Sequence, residues 1–173
     1  MIPGARFTEG VFVGDQTQLG VGFDAARAGL ANLARGGSLT TVSAAAYGAG
    51  LTGLARVGPP GSVRGISRLA GVRSRYQATG DGAAVLALRW EATGPGERLF
   101  PALDADITLT PAGEQATLLR LAAVYRAPHG SQEAGIEPVI VRQVAAATIR
   151  TLMNLVADAI TRVPRVTETP TGN

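Results

Sequence analysis

From about Val63 to Tyr125 the chain alternates apolar and polar residues in strand-sized runs. It then carries one long amphipathic helical pattern, about Pro138 to Arg162. A sheet with one apolar face must bury that face against another layer, and the final helix is the element long enough to cover it. This order predicts an α+β fold in which a curved antiparallel sheet wraps around a long C-terminal helix.

The alternation also predicts which side of each strand is buried. Thr79-Gly80-Asp81-Gly82 reads as a turn between Arg73 to Ala78 and Ala83 to Thr93. In the second of these runs Leu86, Leu88 and Trp90 share one face, and Arg89 and Glu91 the other. Gly94 to Glu97 turns the chain again. Leu103, Ala105, Ile107 and Leu109 then alternate with Asp104, Asp106, Thr108 and Thr110. Pro111-Ala112-Gly113 predicts the next turn, after which Thr117, Leu119, Leu121, Ala123 and Tyr125 oppose Arg120 and Arg126.

Pro138 suits the first position of the last helix, with Glu137 beside the positive end of the dipole, and Pro164 ends it. Roughly 25 residues at 1.5 Å each span about 38 Å, enough to cross several strands. Val141, Val144, Ala145, Thr148, Ile149, Leu152, Leu155, Val156 and Ala159 fill one wide arc, predicted to face the sheet.

The first third has weaker periodicity. Phe7 to Val13 reads as a strand ending at the Gly14-Asp15 turn signal. Asp24 to Arg35 reads as a short covering helix with Asp24 as N-cap, an apolar side of Phe23, Leu30 and Leu33, and Gly36-Gly37 as its stop. Leu39 to Val57, rich in alanine, glycine and threonine, is expected to be a strand. Gly58-Pro59-Pro60-Gly61 is a breaker, and Val63 to Ala78 reads as extended with an interruption at Gly71. The expected organisation is one domain over residues 1–164 and a disordered tail over 165–173.

A chain of 173 residues can bury about 70% of the surface its unfolded form exposes, without a disulfide or metal staple. It has no cysteine and one histidine. That excludes thiol catalysis, disulfides, and cysteine or multi-histidine metal sites. The opening residues lack the cationic and apolar segments of a leader, and no run approaches the roughly 20 apolar residues of a membrane span. A soluble, cytoplasmic protein is expected. All 16 basic residues are arginine, a coding bias more than a functional choice, and the net charge of +3 is mild.

The polar constellations have unremarkable readings. Asp104 and Asp106 project from one strand face and could do acid-base work or hold a cation, yet they lie on the wet side, where Arg89 or Arg120 would pair with them. His129, alone in a loop, reads as a solvated turn residue. The glycine-rich stretches match no phosphate-binding fingerprint, so neither a nucleotide nor another cofactor is expected. Arg64, Arg68, Arg73 and Arg75 have only Tyr76 as an aromatic neighbour, which suits a solvated strand edge better than a nucleic-acid surface.

Together, Val85-Leu-Ala-Leu-Arg-Trp-Glu91, Leu103-Asp-Ala-Asp-Ile-Thr-Leu-Thr-Pro-Ala-Gly113, Thr117-Leu-Leu-Arg-Leu-Ala-Ala-Val-Tyr125 and the terminal helix resemble the helix-grip fold. This is the fold of the START and polyketide-cyclase-like (SRPBCC) superfamily, which includes birch-pollen-allergen-like and coenzyme-Q-binding proteins. The resemblance covers the last two-thirds of the chain. Superfamily members usually have two short helices after the first strand, often with a tryptophan; the first third here departs from that. The resemblance implies a cavity between sheet and helix for a small hydrophobic molecule such as a lipid, sterol or polyketide. Its lining would be Leu86, Leu88, Trp90, Ile107, Leu119, Leu121 and Tyr125 from the strands, with Thr148, Leu152 and Leu155 from the helix. Trp90 and Tyr125 stand out because each carries a polar group that needs a partner. Non-enzymatic carriage of such a ligand is the first expectation, without nucleic acid or stable membrane insertion. A cyclase or aromatase, and a solid-cored interaction module, are the alternatives.

Overall fold

The computed structural model describes residues 10–57, 71–79, 82–91, 101–127 and 135–162. Its elements run β1 (Val11–Leu19), α1 (Phe23–Arg35), α2 (Ser38–Val57), β2 (Gly71–Thr79), β3 (Ala83–Glu91), β4 (Ala102–Gly113), β5 (Ala116–Arg126) and α3 (Pro138–Thr161). The five strands form one antiparallel sheet in the order β1-β5-β4-β3-β2. With α3 this is the helix-grip arrangement anticipated from the order of elements.

Period-two alternation sets the register. Trp90 of β3 stands opposite Leu103 of β4, Leu103 opposite Tyr125 of β5, and Tyr125 opposite Val11 of β1. Two residues along each strand, Leu88, Ala105, Ala123 and Val13 form the next inward row; Leu86, Ile107, Leu121 and Asp15 form the one after it. A slip of one residue would turn all of these apolar side chains into water, which is why the pairing is well specified. The central inward side chains are buried.

Several expectations from the sequence need correction. The segment Leu39 to Val57 is not a strand: α2 occupies it, burying Leu39, Ser43, Ala46, Tyr47, Gly50 and Leu54 at helical spacing. The chain therefore does have two helices after its first strand, which narrows the expected departure from the helix-grip pattern to the length of α2 and the lack of a tryptophan in either helix. β1 continues through Gly14 and Asp15, where a turn was expected, to Leu19, because pairing with β5 extends to Thr117. Residues 7–9 lie outside the described residues. Gly22, not Asp24, is the N-cap of α1; Asp24 lies in the first turn and pairs with Arg27 at 3.3 Å. The expected turn at Pro111–Gly113 belongs to β4, which ends in a bulge with Gly113 at φ +144°, and residues 114–115 make the turn. Arg120 does not join Asp104 or Asp106; it donates to Gln16 Oε1 at 3.4 Å.

α3 runs from Pro138 much as expected, but its arc is placed differently. It packs chiefly against α2 and β1, with α1 near its C-terminal end and fewer contacts to the central strands. Met153 and Ile160 are buried, whereas Leu155 and Ala159 are half-buried. By length and composition alone α3 would pass for a membrane span; here its apolar arc is committed to other elements. Gly50 and Gly53 let α2 approach α3. A Cβ on Gly50 would lie 2.5 Å from Thr148 Oγ1, and one on Gly53 would lie 3.7 Å from a Val144 methyl. Moving forward along α2 thus runs backward along α3, so the two helices are antiparallel. The predicted turn at 94–97, the stretch 63–70, His129 and the tail from 165 all lie outside the described residues.

Candidate functional site

On the inward face, the row Trp90, Leu103, Tyr125 lies at the end of the sheet where β3 and β5 finish and β4 begins. Successive strands are about 4.8 Å apart, so Trp90 and Tyr125 flank Leu103 with Cα atoms roughly 10 Å apart. α2 brings Tyr47 to this row from the other side. Its ring meets Trp90 edge to face, with centroids 5.6 Å apart and planes at 78°. Ser43 is one helical turn before Tyr47, on the same buried face.

All four of these side chains carry a buried polar atom with no hydrogen-bond partner among the described residues: Ser43 Oγ, Tyr47 OH, Trp90 Nε1 and Tyr125 OH. An unsatisfied buried polar group costs about 1–3 kcal/mol, and native proteins hold few of them. Here four lie on residues of or beside the tyrosine and tryptophan cluster, whereas the buried hydroxyls of Thr117 and Thr148 both have partners. Burial pushes the Tyr47 hydroxyl up to about 12. It raises Tyr125 further, and the nearness of Tyr47 adds to that rise, since a charge on either ring would oppose one on the other. Both tyrosines are therefore neutral hydrogen-bond donors over the ordinary pH range.

The residues expected to line a cavity do not all converge here. Leu86, Leu88, Ile107, Leu119, Leu121 and Leu152 are buried core side chains. Leu119 sits six residues along β5 from Tyr125, roughly 20 Å at 3.3 Å per residue, so one small guest does not reach both. Thr148 is buried against Gly50, and its hydroxyl donates to Val144 O at 2.8 Å, inside its own helix. Leu155 is half-buried. Ser43 and Tyr47 were missed because their segment read as a strand. The signal was the spacing of Leu39, Ser43, Ala46, Tyr47, Gly50 and Leu54, which follows the i, i+4, i+7, i+8, i+11, i+15 pattern of one helix face.

A cavity of about 430 Å³ opens on the opposite, outward face, over Ala87 and Ala122 and bordered by Phe12, Arg75 and Asp106. Asp104 in this face is held by two arginines, with Arg89 Nε at 3.4 Å and Arg126 Nη1 donating to Oδ2. This bears out the wet-side ion-pair reading for Asp104, with Arg126 as an added partner. Among the described residues no group of three or more His, Asp or Glu is placed to hold a metal ion.

No known protein family matches the sequence, and no curated protein is significantly similar to it. Among solved structures the chain is similar to a conserved protein from Geobacillus kaustophilus, with TM-score 0.50 and 16% identity, covering 87% of this chain and 95% of that one. An aromatase/cyclase from a Streptomyces species aligns at TM-score 0.33 and 12% identity, covering 93% of this chain and 100% of the other. Truncated norcoclaurine synthase from Thalictrum flavum aligns at TM-score 0.31 and 12% identity, covering 88% and 98%. The likeness is one of fold alone: an α+β arrangement of an antiparallel sheet with a long C-terminal helix. At these identities it carries no residue roles.

Proposed function

We propose that this protein binds a small, mostly apolar molecule between the inward face of its sheet and its helices, at the end marked by Trp90 and Tyr125. The observation that carries this reading is the set of four buried polar atoms on Ser43, Tyr47, Trp90 and Tyr125 without partners among the described residues, set among mostly apolar side chains. Apolar walls supply the affinity, about 25 cal/mol for each Å² of ligand carbon removed from water, and a few polar groups fix the pose. Leu88, Leu103 and Leu152 are the apolar residues best suited to serve as walls at this end. For a cyclase, the interior would have to present an acid or base. Among the described residues the inward acid is Asp15, half-buried on the edge strand and four residues along from the Trp90 row. Binding, which needs no such group, is the reading proposed here.

Trp90 is the chain's single tryptophan, so tryptophan emission, excited apart from the tyrosines, reports on this site alone. Titration with neutral apolar compounds, including a sterol, a long-chain ketone and a flat aromatic, should give at least one saturable change in emission. Native mass spectrometry should then show one guest per chain. A panel that yields only linear, non-saturating responses sinks the reading.

A further inference from the structure

The outward face of the sheet carries a knob and a slot that one chain cannot bring together. The knob is Phe12, which projects from β1 and is 74% exposed. The slot belongs to the cavity of about 430 Å³ on the same face. In one row across the strands, Ala87 of β3 stands between Arg75 of β2 and Asp106 of β4. A lone methyl between two longer side chains leaves a gap, and the Cα atoms on either side of it are about 10 Å apart, room for one aromatic ring. Phe12 is matched through Val124 and Asp104 to Arg89, the next outward residue along β3 from Ala87. Three strand spacings of about 4.8 Å put Phe12 and Ala87 roughly 15 Å apart. A phenylalanine side chain reaches less than half that far, so the ring that fills the slot has to come from another molecule.

We infer that this face is a self-association surface, on which two copies of the chain pair about a two-fold axis and each inserts Phe12 into the slot over Ala87 of the other. A knob and a slot on one face meet the condition for an isologous contact, because an axis midway between them satisfies both at once. That midpoint falls near Ala122 and Val124, small and apolar side chains that let two sheets approach closely. Each inserted ring also meets Arg75, whose guanidinium can lie over its face. Five strands about 4.8 Å apart and nine residues at about 3.3 Å make a face of roughly 24 by 30 Å. A pair offset by the knob-to-slot distance overlaps over roughly half of it, on the order of 400 Å² per copy, the size of a weak, concentration-dependent contact. The inference goes beyond the binding role proposed above and does not depend on it, since the guest site lies on the inward face.

Sedimentation velocity of the full chain from about 1 to 500 μM should show monomer giving way to dimer. Phe12→Ala removes the knob. Ala87→Glu fills the slot and engages Arg75 from its own side. Each should raise the dimer dissociation constant about tenfold or more, and Arg75→Ala several-fold, with circular dichroism melts confirming that the variants fold. The chain has no cysteine, which permits a second measurement. Phe12→Cys mixed with Ala87→Cys should be joined by a short bismaleimide faster than either variant alone, and the double variant should stop at covalent dimers, because a two-fold contact closes on itself. Dimers indifferent to both Phe12→Ala and Ala87→Glu, or a ladder of higher oligomers from the double variant, would overturn the assignment. A chain that stays monomeric at about 500 μM would overturn it too, and would leave the slot to a different occupant.

Discussion

Tyr47 and Tyr125 each bury a hydroxyl that nothing among the described residues satisfies, and a buried hydroxyl left without a partner costs about 1–3 kcal/mol. Removing that oxygen should help the fold while harming the site. Tyr125→Phe is expected to raise stability by up to about 1–3 kcal/mol in denaturant unfolding of the ligand-free protein, and Tyr47→Phe to act in the same direction. A loss of stability in both variants would mean that the hydroxyls are satisfied within the protein. Asp104→Asn serves as a contrast from the outward face. It removes a half-exposed ion pair with Arg89 and Arg126 and should cost no more than about 1 kcal/mol, less at high salt, with the Trp90 emission response to ligand unchanged. At this scale half of the site was readable in advance. Trp90 and Tyr125 announce themselves because strand alternation is rigid and each brings a polar group to a buried face. Ser43 and Tyr47 could not be read, because their placement depends on the type of element that carries them.

That element is α2, and its misreading has a physical cause. Alanine and glycine at most positions from Ser43 to Gly53 leave little contrast between its two faces, so neither period stands out. The glycines are unfavourable for an isolated helix by about 1 kcal/mol each relative to alanine, and tertiary packing overrides them. The sheet was legible, since each strand of the meander contrasts apolar and charged residues and is bounded by glycine or proline. The helix-on-helix contact was not, since small residues signal closeness only once the neighbour is known. Two substitutions separate propensity from packing. Gly48 is exposed with nothing within 4 Å of an added Cβ, so Gly48→Ala should stabilise by up to about 1 kcal/mol. At Gly50 the same change meets Thr148 Oγ1 and should destabilise by about 1–3 kcal/mol. Thr148→Ala in that background should recover part of the loss. Thermal melts of the three variants suffice, and equal gains at Gly48 and Gly50 would refute the close α2–α3 contact.

Across the whole molecule, the raised tyrosine acidities become a pH limit on folding. Below pH 10 a tyrosine is protonated in both folded and unfolded chains, and its contribution is constant. Between about 10 and 12 the unfolded chain loses a proton that the fold retains on Tyr47, and on Tyr125 to still higher pH. Stability must therefore fall as pH rises, by roughly 1.4 kcal/mol per pH unit for each such tyrosine. Melting curves by circular dichroism from pH 8 to 12 should show this decline, and each Tyr→Phe substitution should flatten it; an unchanged slope in both would remove the burial argument. The register brings a different consequence for biosynthesis. Val11 is matched to Tyr125, so the first strand emerges from the ribosome more than a hundred residues before its partner. Neither side of the β1–β5 ladder can close until β5 has been translated. Such distant pairing makes folding slow and leaves an early edge exposed to other nascent chains, so this protein should assemble late in its own synthesis and depend on chaperone protection until then.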